Sequence, residues 1–185
     1  MALRYPEPPL ADGVVGLRPW TEADLPLLRE AAGDDYVAMI EHLPVPYDDA
    51  AAREWIGRQH AHLAEGRGWS FAIVHEPDDC AVGGTGITLR HPPGAAEPGC
   101  WVLGSRRNRG FAERATRLLC YWALTGGTGI ERVEATVEPW NAPSQRVLEK
   151  VGFVREGVLR SYTSYRGTRQ DVVLYSLLES DLESG

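Results

Sequence analysis

Cysteine is scarce and odd in number: Cys80, Cys100 and Cys120 stand far apart in a chain of 185 residues. That spacing matches neither a disulfide framework nor a metal-ligand set, and unpaired thiols point to a reducing, cytoplasmic setting. No apolar run comes near the ~20 residues that cross a bilayer. The opening Met1-Ala2-Leu3-Arg4-Tyr5-Pro6 lacks the apolar stretch of a secretion signal. Positive charge is also short. With 19 Lys and Arg against 26 Asp and Glu the formal net charge is −7, which argues against a nucleic-acid or anionic-membrane partner and favours a cationic one such as an amine. Repeats, low-complexity tracts and linkers are missing, so residues 1–185 are expected to form one domain with its core at about 13–179.

What is present reads as a mixed α/β (α+β) chain. Val14 to Arg18 alternates as a first strand, and Thr21 or Asp24 can cap a helix that carries Leu25, Leu28 and Ala32, with Pro26 tolerated in its first turn. Asp34 to Tyr47 reads as irregular, punctuated by Pro44 and Pro46. Asp48 or Asp49 starts the next helix, with Ala52, Trp55, Ile56 and Leu63 on one stripe and Gly66 beyond its end. Trp69 to Val74 and Val82 to Leu89 read as strands, and Gly83-Gly84-Thr85-Gly86 within the second marks a bulge or a close backbone approach. Val133, Ala135 and Val137 alternate with Glu134, Thr136 and Glu138, and two last strands run from about Gly157 to Tyr165 and Asp171 to Leu178. Trp55, Trp101, Trp122 and Phe153 read as core, and Trp140 as a candidate for the mouth of a site. Cys100 and Cys120 read as small buried hydrophobes, since neither has a legible histidine–acid partner. His60 and His62, two apart on a helix, point in different directions and do not form a metal pair.

The stretch from Cys100 to Phe153 carries the chemistry. A short strand, Cys100 to Leu103, runs through the basic turn Arg107-Asn108-Arg109-Gly110-Phe111-Ala112 into a helix over Glu113 to Leu124. The first N–H groups of such a helix have no partner inside it and its dipole favours negative charge, so the turn is an anion site suited to a phosphate-bearing cofactor. A dinucleotide-binding loop is a poorer reading, because the third glycine is absent at the needed offset. The turn is followed at set distances by Arg132 to Val137, Asn141-x-x-Ser144, Val147 to Phe153 and Glu156-Gly157-Val158-Leu159.

In that order and spacing the chain resembles the GNAT superfamily of N-acetyltransferases, and within it the RimJ/RimL-type branch, whose cofactor motif is Arg/Gln-x-x-Gly-x-Gly/Ala. Gly16 to Leu25 and Asp171 to Leu177 also read like that branch. The resemblance implies a mostly antiparallel sheet of about seven strands, splayed where the cofactor enters and flanked by about four helices. It implies acetyl-CoA as cosubstrate and no metal. Main-chain N–H groups of Arg107, Asn108, Arg109, Gly110, Phe111 and Ala112 would hold the pyrophosphate. Val102 and Leu103 would polarise the thioester carbonyl, Asn141 would hold the pantetheine arm, and Ser144 would donate to the departing sulfur. The branch usually has glycine at the Asn108 position, a mild departure because asparagine tolerates left-handed backbone.

Where many superfamily members carry a tyrosine acid this chain has Leu148, which leaves Ser144, or Tyr162 or Tyr165 from elsewhere. The base is left open between Glu97 and Glu138. The acceptor is an amine, either a protein N-terminal α-amine or a small molecule such as an antibiotic, a polyamine or an amino-acid derivative. A non-catalytic CoA-binding module is a further alternative, and the state is monomer or homodimer.

Overall fold

Residues Arg132–Val137 alternate as their sequence predicts, with Val133, Ala135 and Val137 buried and Arg132, Glu134 and Thr136 half-buried. The computed structural model describes residues 3–165 and 167–184. Among them eight strands form one sheet: β1 (Leu10–Ala11), β2 (Val15–Arg18), β3 (Gly68–His75), β4 (Cys80–Leu89), β5 (Ala95–Val102), β6 (Arg132–Val137), β7 (Val154–Tyr165) and β8 (Thr168–Leu178). Their order across the sheet is β1-β2-β3-β4-β5-β6-β8-β7. Five α-helices accompany them: α1 (Leu25–Ala31), α2 (Asp35–Glu41), α3 (Asp49–Ala64), α4 (Phe111–Thr125) and α5 (Ala142–Val151). Compared with the expected seven and four, the additions are the two-residue β1 and the seven-residue α2.

Every neighbouring pair of strands is antiparallel except β5 and β6. A parallel pair needs a crossover, and α4 supplies it. The β5–β6 pairing runs only through Ala95↔Arg132 and Ala96↔Val133. Pro98 comes next but one, and a proline has no N–H to continue a ladder, so the strands part there. The splay that the family resemblance implied thus has a local cause in the chain.

Two apolar layers sandwich the sheet. On one face Phe111, Ala115, Leu119 and Ala123 of α4, with Leu148 and Val151 of α5, pack on Phe71, Val102, Val133 and Tyr175. On the other, Leu28 of α1, Val37 of α2 and Trp55 of α3 enclose Trp20, Ala72 and Trp101. The Trp20 indole stacks on Trp101 at 6.2 Å and meets Trp55 edge-on at 4.9 Å. An ion pair at 2.8 Å between the half-buried Arg18 and the buried Asp24 ties the end of β2 to the start of α1.

One expectation is corrected. Asp34 to Tyr47 is not irregular throughout: Asp35–Glu41 is helical. The Asp34 carboxylate accepts from the N–H groups of Tyr36 and Val37, and His42 closes the helix in the left-handed region at φ 53°. Pro44 and Pro46 punctuate the chain only after that helix is complete. In β4 the glycine-rich run holds both features expected of it. The register slips by one residue between Ile73 and Val74 of β3, leaving Val82 as a bulge. At Gly84 a Cβ would stand 2.7 Å from both the Trp101 and Trp20 rings.

Candidate active site

The parting of β5 and β6 opens a cleft of about 930 Å³. Pro98 to Val102 form one wall and Ala135 to Glu138 the other, α4 and α5 supply the floor, and Tyr36, Val37 and Ile40 of α2 overhang it. At its mouth the exposed Trp140 ring meets Tyr36 edge-on at 6.3 Å.

At the end of β5, Gly104–Arg106 makes a single 3-10 turn. Asn108 then adopts φ 62° and Gly110 φ 79°, so both left-handed positions fall where the sequence placed residues that tolerate them. None of the backbone N–H groups from Asn108 to Glu113 donates to another backbone group. This row of free donors, at the start of a fifteen-residue helix, is a nest for an anion. The surrounding charge agrees. In a chain of net charge −7 the cleft is lined by Arg106, Arg107, Arg146 and Lys150 against Glu113 and Glu138. Arg106 and Arg146 have no ion-pair partner among the described residues, whereas Lys150 meets Glu113 at 3.4 Å.

The Arg107 side chain turns back from the anion site. Its Nε donates to the Val102 carbonyl at 3.1 Å and its guanidinium meets Asp34 at 2.7 Å, so it braces the turn against α2. Burial works to raise the Asp34 carboxyl, but the Val37 N–H and Arg107 outweigh it and hold it below the usual range. Arg109 is exposed and is not among the residues that line the cleft.

On β5 the two carbonyl-polarising candidates part company. The Leu103 N–H donates to the Val82 carbonyl at 3.0 Å and its side chain is buried beneath α2, so it is engaged elsewhere. Alternation along the strand puts the N–H groups of Cys100 and Val102 on the opposite edge, towards the cleft. On the far wall Asn141 caps α5, its Oδ1 accepting from the Ser144 N–H at 3.3 Å while its amide nitrogen stays free. The Ser144 hydroxyl lines the cleft with no hydrogen-bond partner among the described residues.

Glu138 also lines the cleft, half-buried, with no partner for its carboxylate among the described residues. Glu97 is not in the cleft lining. Arg90 engages it through Nε at 2.8 Å and through a second, closer contact, and the Thr136 hydroxyl lies 3.5 Å away. Glu134 is held by Arg132 at 2.5 Å. Leu148 is buried at the cleft floor. Tyr162 is exposed on β7 and absent from the lining, and the Tyr165 side chain lies outside the described residues. Cys100 lies in the β5 wall of the cleft, where burial pushes its thiol up to about 11. Cys120 is fully buried and raised further by the same cause, so neither is a ready nucleophile. His60 reaches the Trp20 carbonyl and His62 the Thr88 hydroxyl, in separate places. Among the described residues no cluster could hold a metal ion, and no helix is long and apolar enough to cross a membrane.

A cleft between splayed parallel strands, with a free N–H row at one end, can take a long ligand that ends in an anionic group. The chain belongs to the GNAT family: residues 15–154 match the family described as Acetyltransferase (GNAT) domain. It is an acetyl-CoA-dependent N-acyltransferase of RimJ/RimL type. It is 32% identical over 138 residues to the uncharacterized N-acetyltransferase p20 of Bacillus licheniformis, covering 74% of this chain and 77% of that protein. The structure of Mycobacterium smegmatis RimJ in complex with CoA-disulfide is similar with a TM-score of 0.79 at 30% identity, covering 92% of this chain and 84% of that one. The fold alone is shared with RimL, a ribosomal L7/L12 α-N-protein acetyltransferase in complex with coenzyme A, with a TM-score of 0.76 at 18% identity over 92% of this chain and 96% of that one.

Proposed function

We propose that this chain moves the acetyl group of acetyl-CoA to the α-amine of a protein N-terminus by direct attack, with no covalent enzyme intermediate. The observation that carries the reading is the free N–H row from Asn108 to Glu113 at one end of a cleft whose wall presents the unpartnered Ser144 hydroxyl. The row suits a diphosphate, and Arg106 and Arg146 at the rim add charge of the matching sign. Acetyl-CoA brings an activated thioester whose carbon accepts the amine. The Val102 N–H polarises the carbonyl, the Asn141 amide nitrogen holds the pantetheine arm, and the Ser144 hydroxyl donates to the sulfur as it becomes a thiolate. Holding both reactants along one cleft supplies much of the rate.

The α-amine is favoured by acidity. An α-ammonium titrates near ~7.7–8 and a lysine ammonium near ~10.4, so the former needs far less help to become a nucleophile. The 30% identity to RimJ over 92% of this chain supports the same choice.

A panel of N-terminal peptides, lysine peptides, polyamines and aminoglycosides, read by release of free thiol, tests the acceptor. N-terminal peptides should give the highest kcat/KM. Binding of acetyl-CoA with no turnover of any amine would make the chain a binding module and overturn the reading. For the mechanism, Ser144→Ala should lower kcat by about 10²-fold, the scale of one lost transition-state donor, with acetyl-CoA affinity nearly unchanged. Unaltered kcat removes Ser144 from the reaction.

A further inference from the structure

A second cavity, of about 150 Å³, lies on the α1–α3 side of the sheet. Gly99 and Trp101 of β5 line both this cavity and the large cleft, so β5 alone stands between the two beyond the point where it leaves β6. Gly99 is exposed and a Cβ there would meet nothing within 4 Å, so the seam is not closed by a side chain. Most polar groups around the cavity already have partners. The Ser70 hydroxyl accepts from Trp20 Nε1 at 3.0 Å and donates to Gln59 at 2.9 Å, and the Thr85 hydroxyl donates to the Gly99 carbonyl at 2.8 Å. The exception is Glu41, the last residue of α2. Trp55 Nε1 fixes its main-chain carbonyl at 2.7 Å, while its carboxylate lines the cavity with no hydrogen bond or ion pair among the described residues.

We propose that Glu41 is the catalytic base of the transfer, receiving the proton of the acceptor ammonium at the Gly99 seam. This rests on the reading of the chain as an amine acetyltransferase and extends it to a residue on the opposite face from Ser144.

A carboxylate that has no fixed partner and little water suits proton abstraction near neutrality. Burial pushes Glu41 up to about 7. His62 is the other titratable group lining the cavity, and burial lowers it from its ordinary value. Glu97, the alternative on this face, is already engaged by Arg90. The protons balance as follows. Glu41 takes one from the ammonium, the neutral nitrogen forms its C–N bond as the C–S bond breaks, and the second N–H proton leaves with the thiolate to give CoA thiol. Glu41 then returns its proton to water.

Glu41→Gln decides the matter. In the wild type kcat/KM for an N-terminal peptide should fall on an acid limb near pH 7. In Glu41→Gln that limb should move up to the α-amine's own value near ~8 and kcat at pH 7 should drop about 10²-fold, with acetyl-CoA affinity within about twofold. At pH ~9.5, where an α-amine is already neutral, much of the loss should be regained. Glu41→Asp should retain the limb, and so should His62→Asn. Independently of turnover, carboxylate infrared titration of the free wild-type protein should show a band changing near pH 7 that Glu41→Gln lacks, and should the Gln variant fold poorly, Glu41→Asp should move that band. A variant with unchanged kcat and limb, or a Glu41 that titrates in the ordinary carboxylate range, overturns the assignment while the acetyltransferase reading survives. A wild type that binds acetyl-CoA and acetylates no amine overturns both.

Discussion

Glu41 and Glu97 carry the same carboxyl group in opposite surroundings, one facing a small cavity without a counter-charge and the other gripped by Arg90. The difference has a consequence for stability as well as for proton transfer. In the unfolded chain a glutamate titrates near ~4.3, and in the folded one burial moves Glu41 to about 7. Between those values the folded state binds the extra proton, so its stability falls as pH rises from about 5 to about 8. Denaturant melts of wild type and Glu41→Gln should therefore diverge over that range, with the variant gaining relative stability by up to about 3 kcal/mol at the alkaline end. Parallel curves would show an unperturbed carboxyl. No sequence reading marks Glu41. Its neighbours His42 and Leu43 are unremarkable, and its burial comes from α3 and β3–β5, which are distant in sequence. The Asn141 cap and the left-handed positions of Asn108 and Gly110 were legible because they depend on local backbone, whereas a role for Ser144 came from the family resemblance alone.

At the scale of elements, β4 shows how far pattern alone reaches. Gly83-Gly84-Thr85-Gly86 predicted a bulge or a close approach, and both are present, but which bodies approach could not be read. They are the stacked indoles of Trp20 and Trp101. Gly84→Ala would drive a Cβ into both rings, and we expect a loss of about 2 kcal/mol, read from the denaturant midpoint. An unchanged midpoint would mean that the stack slides freely. The helix α2 was missed for a different reason. Seven residues with Val37 and Ala38 as its buried members give too short a stripe to declare a helical period beside two prolines. The Asp34 cap was the available signal. The splay of β5 from β6 was implied by resemblance, yet Pro98 was visible in the chain as the residue that ends the ladder.

For the molecule as a whole, ligand binding should show in stability. If the N–H row holds a diphosphate, acetyl-CoA at a hundred times its Kd should stabilise the fold by about 2.7 kcal/mol and raise Tm by about 5–10 °C. S-acetylpantetheine, which lacks the diphosphate, should give a much smaller shift at the same concentration. Equal shifts would move the anchor away from residues 108–113. The two apolar layers were predictable as periodic stripes, but the placing of the cleft and the small cavity on either side of Gly99 was not, because it depends on three strands and a helix converging. One bridge spans that arrangement. Asp34 caps the first turn of α2 and clasps Arg107 behind the anion turn, while the opposite tip of the same helix bears Glu41. The helix that bears the proposed proton acceptor is thus fastened at its other end to the turn proposed to hold the diphosphate, so one short rod joins the two ends of the proposed reaction.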